Sequence, residues 1–152
     1  MSITIPAFDP LSIPIAGTNL IEASAGTGKT YGIAALFTRL VVLEQMPVES
    51  ILTVTFTKAA TAELKTRLRA RLDEVLQALE SVEDTDNLSD DLEAYCRDNH
   101  PGDVFLTGLL KQALAQESRA RLIVRLKAAI GQFDNAAIYT IHGFCQRILR
   151  DY

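Results

Sequence analysis

Residues Glu22–Thr30 read EASAGTGKT and directly follow the apolar pair Leu20-Ile21. This stretch constrains the chain more than any other. From Ala23 to Thr30 it has the spacing of a phosphate-binding loop, with Ala23 standing where the first glycine usually is. Each part has a physical reason. Glycine accepts positive φ without a steric penalty, so successive N–H groups can turn into one concavity. The candidate cradle is Ala23, Ser24, Ala25, Gly26, Thr27 and Gly28. A helix starting at the end of the loop adds the positive end of its dipole. Lys29 supplies a full cation for the β- and γ-phosphates and is the candidate catalytic residue. Thr30 supplies a hydroxyl to Mg²⁺, a hard ion that prefers oxygen. The motif needs a strand before it and a helix after it. Asn19–Ala23 predicts the strand. Residues from Lys29 to Leu43 predict the helix, with Ile33, Leu36, Phe37, Leu40 and Leu43 on one face.

The pattern continues as α/β. Residues 1–17 hold Pro6, Pro10 and Pro14 and read as an extended lead-in. Ser50–Phe56 (SILTVTF) predicts a second strand rich in β-branched residues. Thr57 is placed to cap the next helix, whose stripe is Leu64, Leu68, Leu72, Val75, Leu76 and Leu79. Residues 81 to about 103 interrupt this with Asn, Asp, Ser, Pro101 and Gly102. A helical stretch over Val104–Ile130 carries Arg119, Arg121, Arg125 and Lys127 on one side. Ala136–Thr140 predicts a third strand, and Gly143–Arg150 starts another helix. Alternating strands and helices imply a parallel sheet with flanking helices. The 152 residues suffice for one compact domain and are too few for two large ones.

Charge narrows the function classes. The net charge is −4, which argues against nucleic-acid binding over the whole surface. The distribution is uneven: Lys58, Lys65, Arg67, Arg69 and Arg71 crowd one predicted helix, while Glu83, Asp84, Asp86, Asp90 and Asp91 form an acidic stretch. Arg67, Arg69 and Arg71 read as a solvated face. The start of the chain lacks the basic and apolar regions of a signal peptide, and no segment has the length and apolarity of a membrane span. Cys96 and Cys145 cannot make a disulfide framework. The expectation is a cytoplasmic protein with free thiols, making no membrane contact, and Cys145 reads as a small packed residue.

Three segments together, EASAGTGKT, TVTFTKAATAEL and YTIHGFC, resemble the N-terminal part of superfamily 1 DNA helicases of the UvrD type, and the RecB-like exodeoxyribonuclease V branch in particular. The resemblance covers the chain, with residues from about 80 to 130 carrying least of it. It implies a partial RecA-like P-loop NTPase fold with a helical insertion. It also implies three parts: residues 1–80 as the start of the ATP-binding domain, 81–134 as the helical insertion near the duplex, and 135–152 as the third strand and its helix. ATP and Mg²⁺ are the implied cofactors. Thr55, Phe56, Thr57, Lys58 and Ala59 match the segment that lies along single-stranded DNA. Thr hydroxyls, a helix N-terminus and a lysine suit phosphate. Phe56 would either stack on a base or fill the core. Thr140, His142 and Phe144 match a second DNA-proximal segment. The implied whole protein moves 3′ to 5′ on DNA from duplex ends, in double-strand-break repair and recombination, with RecC- and RecD-type companion subunits.

Two features depart from that pattern. No Gln precedes Gln45, so adenine recognition has no upstream glutamine. ATP hydrolysis needs an acid pair after an apolar strand. The only Asp-Glu pair of that kind, Asp73-Glu74, sits within a helical stripe and reads as solvent-facing. The arginine finger, the second lobe and the nuclease residues are also missing, so the chain reads as the first piece of a motor, with weak or no ATP hydrolysis alone. Two alternatives stay open at this level. One is a small-molecule kinase that uses Arg119, Arg121 and Arg125 as lid residues; the other is a binding module whose glycine-rich turn is structural.

Overall fold

Two short parallel strands organise the molecule. β1 (Thr53–Thr55) and β2 (Ile138–Thr140) pair with Thr53 opposite Ile138, Val54 opposite Tyr139 and Thr55 opposite Thr140. Parallel neighbours need a long crossover. Here it runs through α2 (Lys58–Glu80), α3 (Leu88–Asn99), α4 (Val104–Gln116) and α5 (Arg119–Gly131). Helix α1 (Lys29–Val42) precedes β1, and α6 (Ile141–Asp151) follows β2. Single 3₁₀ turns at Val48–Ser50 and Phe133–Asn135 lead into the strands. The structure is a computed structural model that describes Thr4, residues 6–23 and residues 28–152. The mixed α/β class expected from the sequence is present, with helix predominating.

Helix α2 is the spine of the core. Thr57 caps it, its Oγ1 accepting from the Ala60 N–H at 3.1 Å. Leu64, Leu68, Leu72, Val75 and Leu79 all point inward, as their spacing predicts. They meet α1, which contributes Phe37, Val41 and Val42, and α5, which contributes Leu122 and Leu126, while α4 packs on α1, α3 and α5 and brings Leu106, Leu109 and Leu110 into the same cluster. One continuous apolar cluster runs from Ala34 to Ile138. Each fully buried leucine stabilises by about 1.5–3 kcal/mol. Thr38 is the buried polar exception, and its hydroxyl donates to the Ala34 carbonyl at 2.7 Å, so it costs little.

Several sequence expectations need correction. Asn19–Ala23 is not a strand: Leu20 is 83% exposed, and no described residue pairs with the segment. A lone extended segment has no ladder to close, so its apolar composition cannot make it a strand by itself. The second strand is shorter than SILTVTF, because Ser50 ends a 3₁₀ turn. In α1 the buried residues are Gly32, Ala34, Ala35, Phe37, Thr38, Val41 and Val42, while Ile33 is exposed. That helix is apolar nearly all round, so periodicity could not choose its inner face. The stretch 81–103 is not merely an interruption, since it contains α3, which buries Leu92 and Cys96. Val104–Ile130 is two helices, not one. Glu117 is extended, and Ser118 caps α5 by accepting from the Arg121 N–H at 3.3 Å.

Of the three arginines read as a solvated face, Arg67 and Arg69 are exposed and Arg71 is not, and other arginines satisfy backbone carbonyls. Arg125 donates to the carbonyls of Val41 and Val42 at 2.6 and 2.7 Å and pairs with Glu117. Arg119 donates to the Leu79 carbonyl at 2.7 Å. Both satisfy acceptors that a helix C-terminus leaves open. Arg39 donates to the Pro10 and Ile13 carbonyls at 3.0 and 2.8 Å, which ties the lead-in turn to α1. Arg71 is only 11% exposed and pairs with Asp103 and Glu74. Glu74 is thereby engaged in an ion pair. Arg67 does lie in solvent, paired with Glu63 at 2.9 Å.

Candidate nucleotide and nucleic-acid interface

The phosphate-loop end is described from Gly28 onward. Ser24, Ala25, Gly26 and Thr27 lie outside the described residues, while Ala23 is half-buried and outside any helix or strand. Gly28 caps α1 in the left-handed conformation, φ 88°, where residues other than glycine are strained. Gly28 brings no capping side chain, so the first amides of a 14-residue helix take no partner from it. That is the arrangement a helix offers to an anion. Lys29 is exposed at the first helical position, and Thr30, half-buried, follows it. An open cleft of about 490 Å³ borders this end, lined in part by Ala23, Gly28 and Lys29.

The second part of the site follows from the strand register. Thr55 lies opposite Thr140, so both strands end at one edge. Each is followed at once by a helix, and each helix is capped by threonine. Thr57 caps α2, and Thr140 caps α6 by accepting from the Gly143 N–H at 3.0 Å. Two helix N-termini therefore sit side by side at the carboxyl ends of a parallel pair, the usual position for ligand sites in such sheets. Thr55 is turned toward α2, its hydroxyl 2.6 Å from that of Thr61. Lys58 and Ala59 are exposed in the first turn of α2.

Phe56 is 88% exposed, so the core alternative for this ring is excluded. Its ring stands in water at the strand end, next to the first turn of α2. His142 is exposed and Phe144 half-buried, its ring 6.4 Å from that of Tyr139 with 24° between planes. Cys145 is exposed, not packed. The register thus brings Thr55–Ala59 and Thr140–Phe144 to one edge.

Sequence reasoning passed over Tyr139 and Arg147. Arg147 stacks 5.3 Å over the Tyr139 ring and donates to its hydroxyl at 2.6 Å, which extends the aromatic cluster along α6. The visible signal was Tyr139 beside Thr140, with Arg147 two helical turns along the same side of α6. Helix α6 buries none of its residues, although Ile141, Ile148 and Leu149 are apolar. Among the described residues no cluster of three or more His, Cys, Asp or Glu gathers as a metal site. No described helix is long and apolar enough to cross a membrane.

Comparison with known proteins identifies the family. Residues 9–152 match the UvrD/REP helicase N-terminal domain. RecBCD enzyme subunit RecB of Haemophilus influenzae is 42% identical over 159 aligned residues, covering 100% of this chain and 12% of that protein. The Escherichia coli subunit of the same name is 41% identical, covering 98% of the chain and 12% of its own length. The Mycolicibacterium smegmatis subunit is 38% identical over 88% of the chain. The chain thus spans about an eighth of the length of the first two relatives. With residues 9–152 matched and relatives at 42% and 41% identity covering almost all of it, this chain belongs to the UvrD/REP helicase N-terminal domain family.

Proposed function

We propose that the chain is the N-terminal ATP- and single-stranded-DNA-binding part of an ATP-dependent DNA helicase–nuclease subunit of RecB type. The whole protein would act in the cytoplasm on DNA ends in double-strand-break repair and recombination, together with RecC- and RecD-type subunits. The observation that carries this reading is the Thr55–Thr140 register, which sets two independent motif segments on one edge beside two helix N-termini. Residues 1–80 and 135–152 would belong to the ATP-binding domain, and 81–134 to the helical insertion. The kinase alternative is less well supported, because Arg119 and Arg125, two of its three candidate lid arginines, are committed to helix carbonyls, leaving Arg121 exposed.

The residues present fit Mg·ATP. The first amides of α1 and Lys29 would hold the phosphates, and Thr30 would offer the metal its hydroxyl. Bound ATP supplies the phosphoanhydride whose cleavage powers movement in the whole protein. The chain's own contribution is to bind and orient it, with Gly28 allowing the backbone to approach closely. Toward DNA, the Thr57 and Thr140 hydroxyls each accept a capping amide, and their protons are free to donate to phosphate. Lys58 supplies charge. Phe56 offers a stacking face, a contact worth about 1–3 kcal/mol per base on substitution by alanine.

Titration with a fluorescent oligothymidylate tests the DNA half. Phe56→Ala is expected to weaken binding about five- to hundredfold. Lys58→Ala is expected to flatten the slope of log affinity against log salt by about 0.7, one phosphate contact. A Mg·ATP analogue tests the other half, with binding lost in Lys29→Ala. If the oligonucleotide binds these variants as it binds the original chain, the DNA reading fails.

A further inference from the structure

Arg71 stands well along α2, away from both motif segments, yet it reaches the nucleotide end of α1. Its guanidinium donates to Asp103 Oδ1 and Oδ2 at 2.9 and 2.5 Å and to Glu74 at 2.6 Å. Asp103 caps α4, accepting from the Leu106 N–H at 3.0 Å. The arginine is thus fixed in position by two helices. Two aromatic rings flank it: Phe105, centroid at 5.3 Å, and Tyr31, centroid at 5.9 Å. Tyr31 lies in the first turn of α1, directly after Lys29 and Thr30. Its cap, Gly28, contributes no side chain to that turn, and Gly32 just beyond it packs closely against the Phe8 ring.

We propose that Arg71 is a positioning residue: through the ring of Tyr31 it holds the turn carrying Lys29 and Thr30 against α2 and the start of α4. The nucleotide end and the α3–α4 segment are thereby joined through one guanidinium. The phenol of Tyr31 is pushed above its ordinary range, by burial first and by the Asp103 charge second, as expected for a ring beside this pair. The consequence for ligand binding rests on the nucleotide reading above. The hold on the turn itself does not.

The test combines backbone amide exchange with binding of a Mg·ATP analogue, on the 152-residue chain. The variants are Arg71→Met, Tyr31→Leu and the double substitution. Tyr31→Leu leaves the Arg71–Asp103 pair intact, so it remains informative if Arg71→Met fails to fold. Each single variant is expected to accelerate exchange at Gly32, Ile33 and Ala34 about two- to fivefold more than at Val41, and to weaken analogue binding by a similar factor. In the Tyr31→Leu background, Arg71→Met should add little to either effect, because the coupling has already been removed. Acceleration no greater in the first turn than at Val41, or effects that simply add, would overturn the proposal. If the unaltered chain binds no analogue, the nucleotide reading fails, while the exchange pattern still decides the role of Arg71.

Discussion

Replacing Asp103 probes a side chain that serves two helices at once. It makes two separable contributions. Its Oδ1 caps α4 at 3.0 Å from the Leu106 amide, and losing an N-cap costs about 1 kcal/mol. Its two oxygens also take both arms of Arg71, in a pair whose side chains are 11% and 16% exposed. A fully buried pair broken on one side loses about 3–5 kcal/mol. Glu74 stays on Arg71, and some solvent reaches the site, so about 2–3 kcal/mol is the scale here. Asp103→Ala should therefore cost about 3–4 kcal/mol. Asp103→Asn, which can still cap, should cost about 1 kcal/mol less. Urea denaturation with a common slope measures both. Equal losses for Asn and Ala would show that the cap contributes nothing. A loss below about 1 kcal/mol for both would refute the argument that the pair organises α2 against α4.

Other outcomes follow from the same structure. Burial acts to raise the Asp103 carboxyl, but hydrogen bonds from Arg71 and the Leu106 amide outweigh it and hold the group below the usual range. Its stabilising effect is therefore full above the unfolded value of about 3.9 and fades as pH falls through the lower folded value. The stability difference between the original chain and Asp103→Asn should be constant near neutrality and shrink below about pH 4, as read by urea midpoints. A Cβ at Gly108 would lie 2.6 Å from Leu11 Cδ1, so Gly108→Ala carries an overpacking cost of about 1–3 kcal/mol, offset by about 1 kcal/mol of helix propensity, for a net loss of at most about 2 kcal/mol. Adding Leu11→Ala should recover part of that loss in the same assay. Thr140→Ala should cost about 1 kcal/mol of stability and also weaken oligonucleotide binding, whereas Ser118→Ala, which removes the α5 cap away from the edge, should affect stability alone.

The sequence foretold what local chemistry decides. The α2 stripe is legible because its leucines recur at helical spacing with polar residues between them. The Thr57 cap is legible because threonine precedes the pattern. The two motif segments are legible as segments, and the strand pairing explains why they belong together. What failed depends on distant parts of the chain. Asn19–Ala23 has strand composition, but a strand needs a neighbour. The inner face of α1 could not be chosen from a helix apolar on most sides. Arg71, Arg119 and Arg125 look like surface charge in one dimension, and only the fold shows the carbonyls and carboxylates they meet. The break at Glu117–Ser118 was readable, since serine is a good cap, but the apolar residues on both sides concealed it. Phe56 was undecided between core and ligand contact until its exposure was known.

The central claim is that single-stranded DNA crosses the shared carboxyl edge of β1 and β2. Photo-crosslinking of a halogenated oligodeoxyuridylate to the chain, with the attachment sites read by mass spectrometry, tests it most directly. The account predicts adducts at Phe56, His142 and Phe144, reduced by added salt and by Lys58→Ala. Adducts confined to α3 or α5, or a pattern indifferent to Lys58, would contradict it.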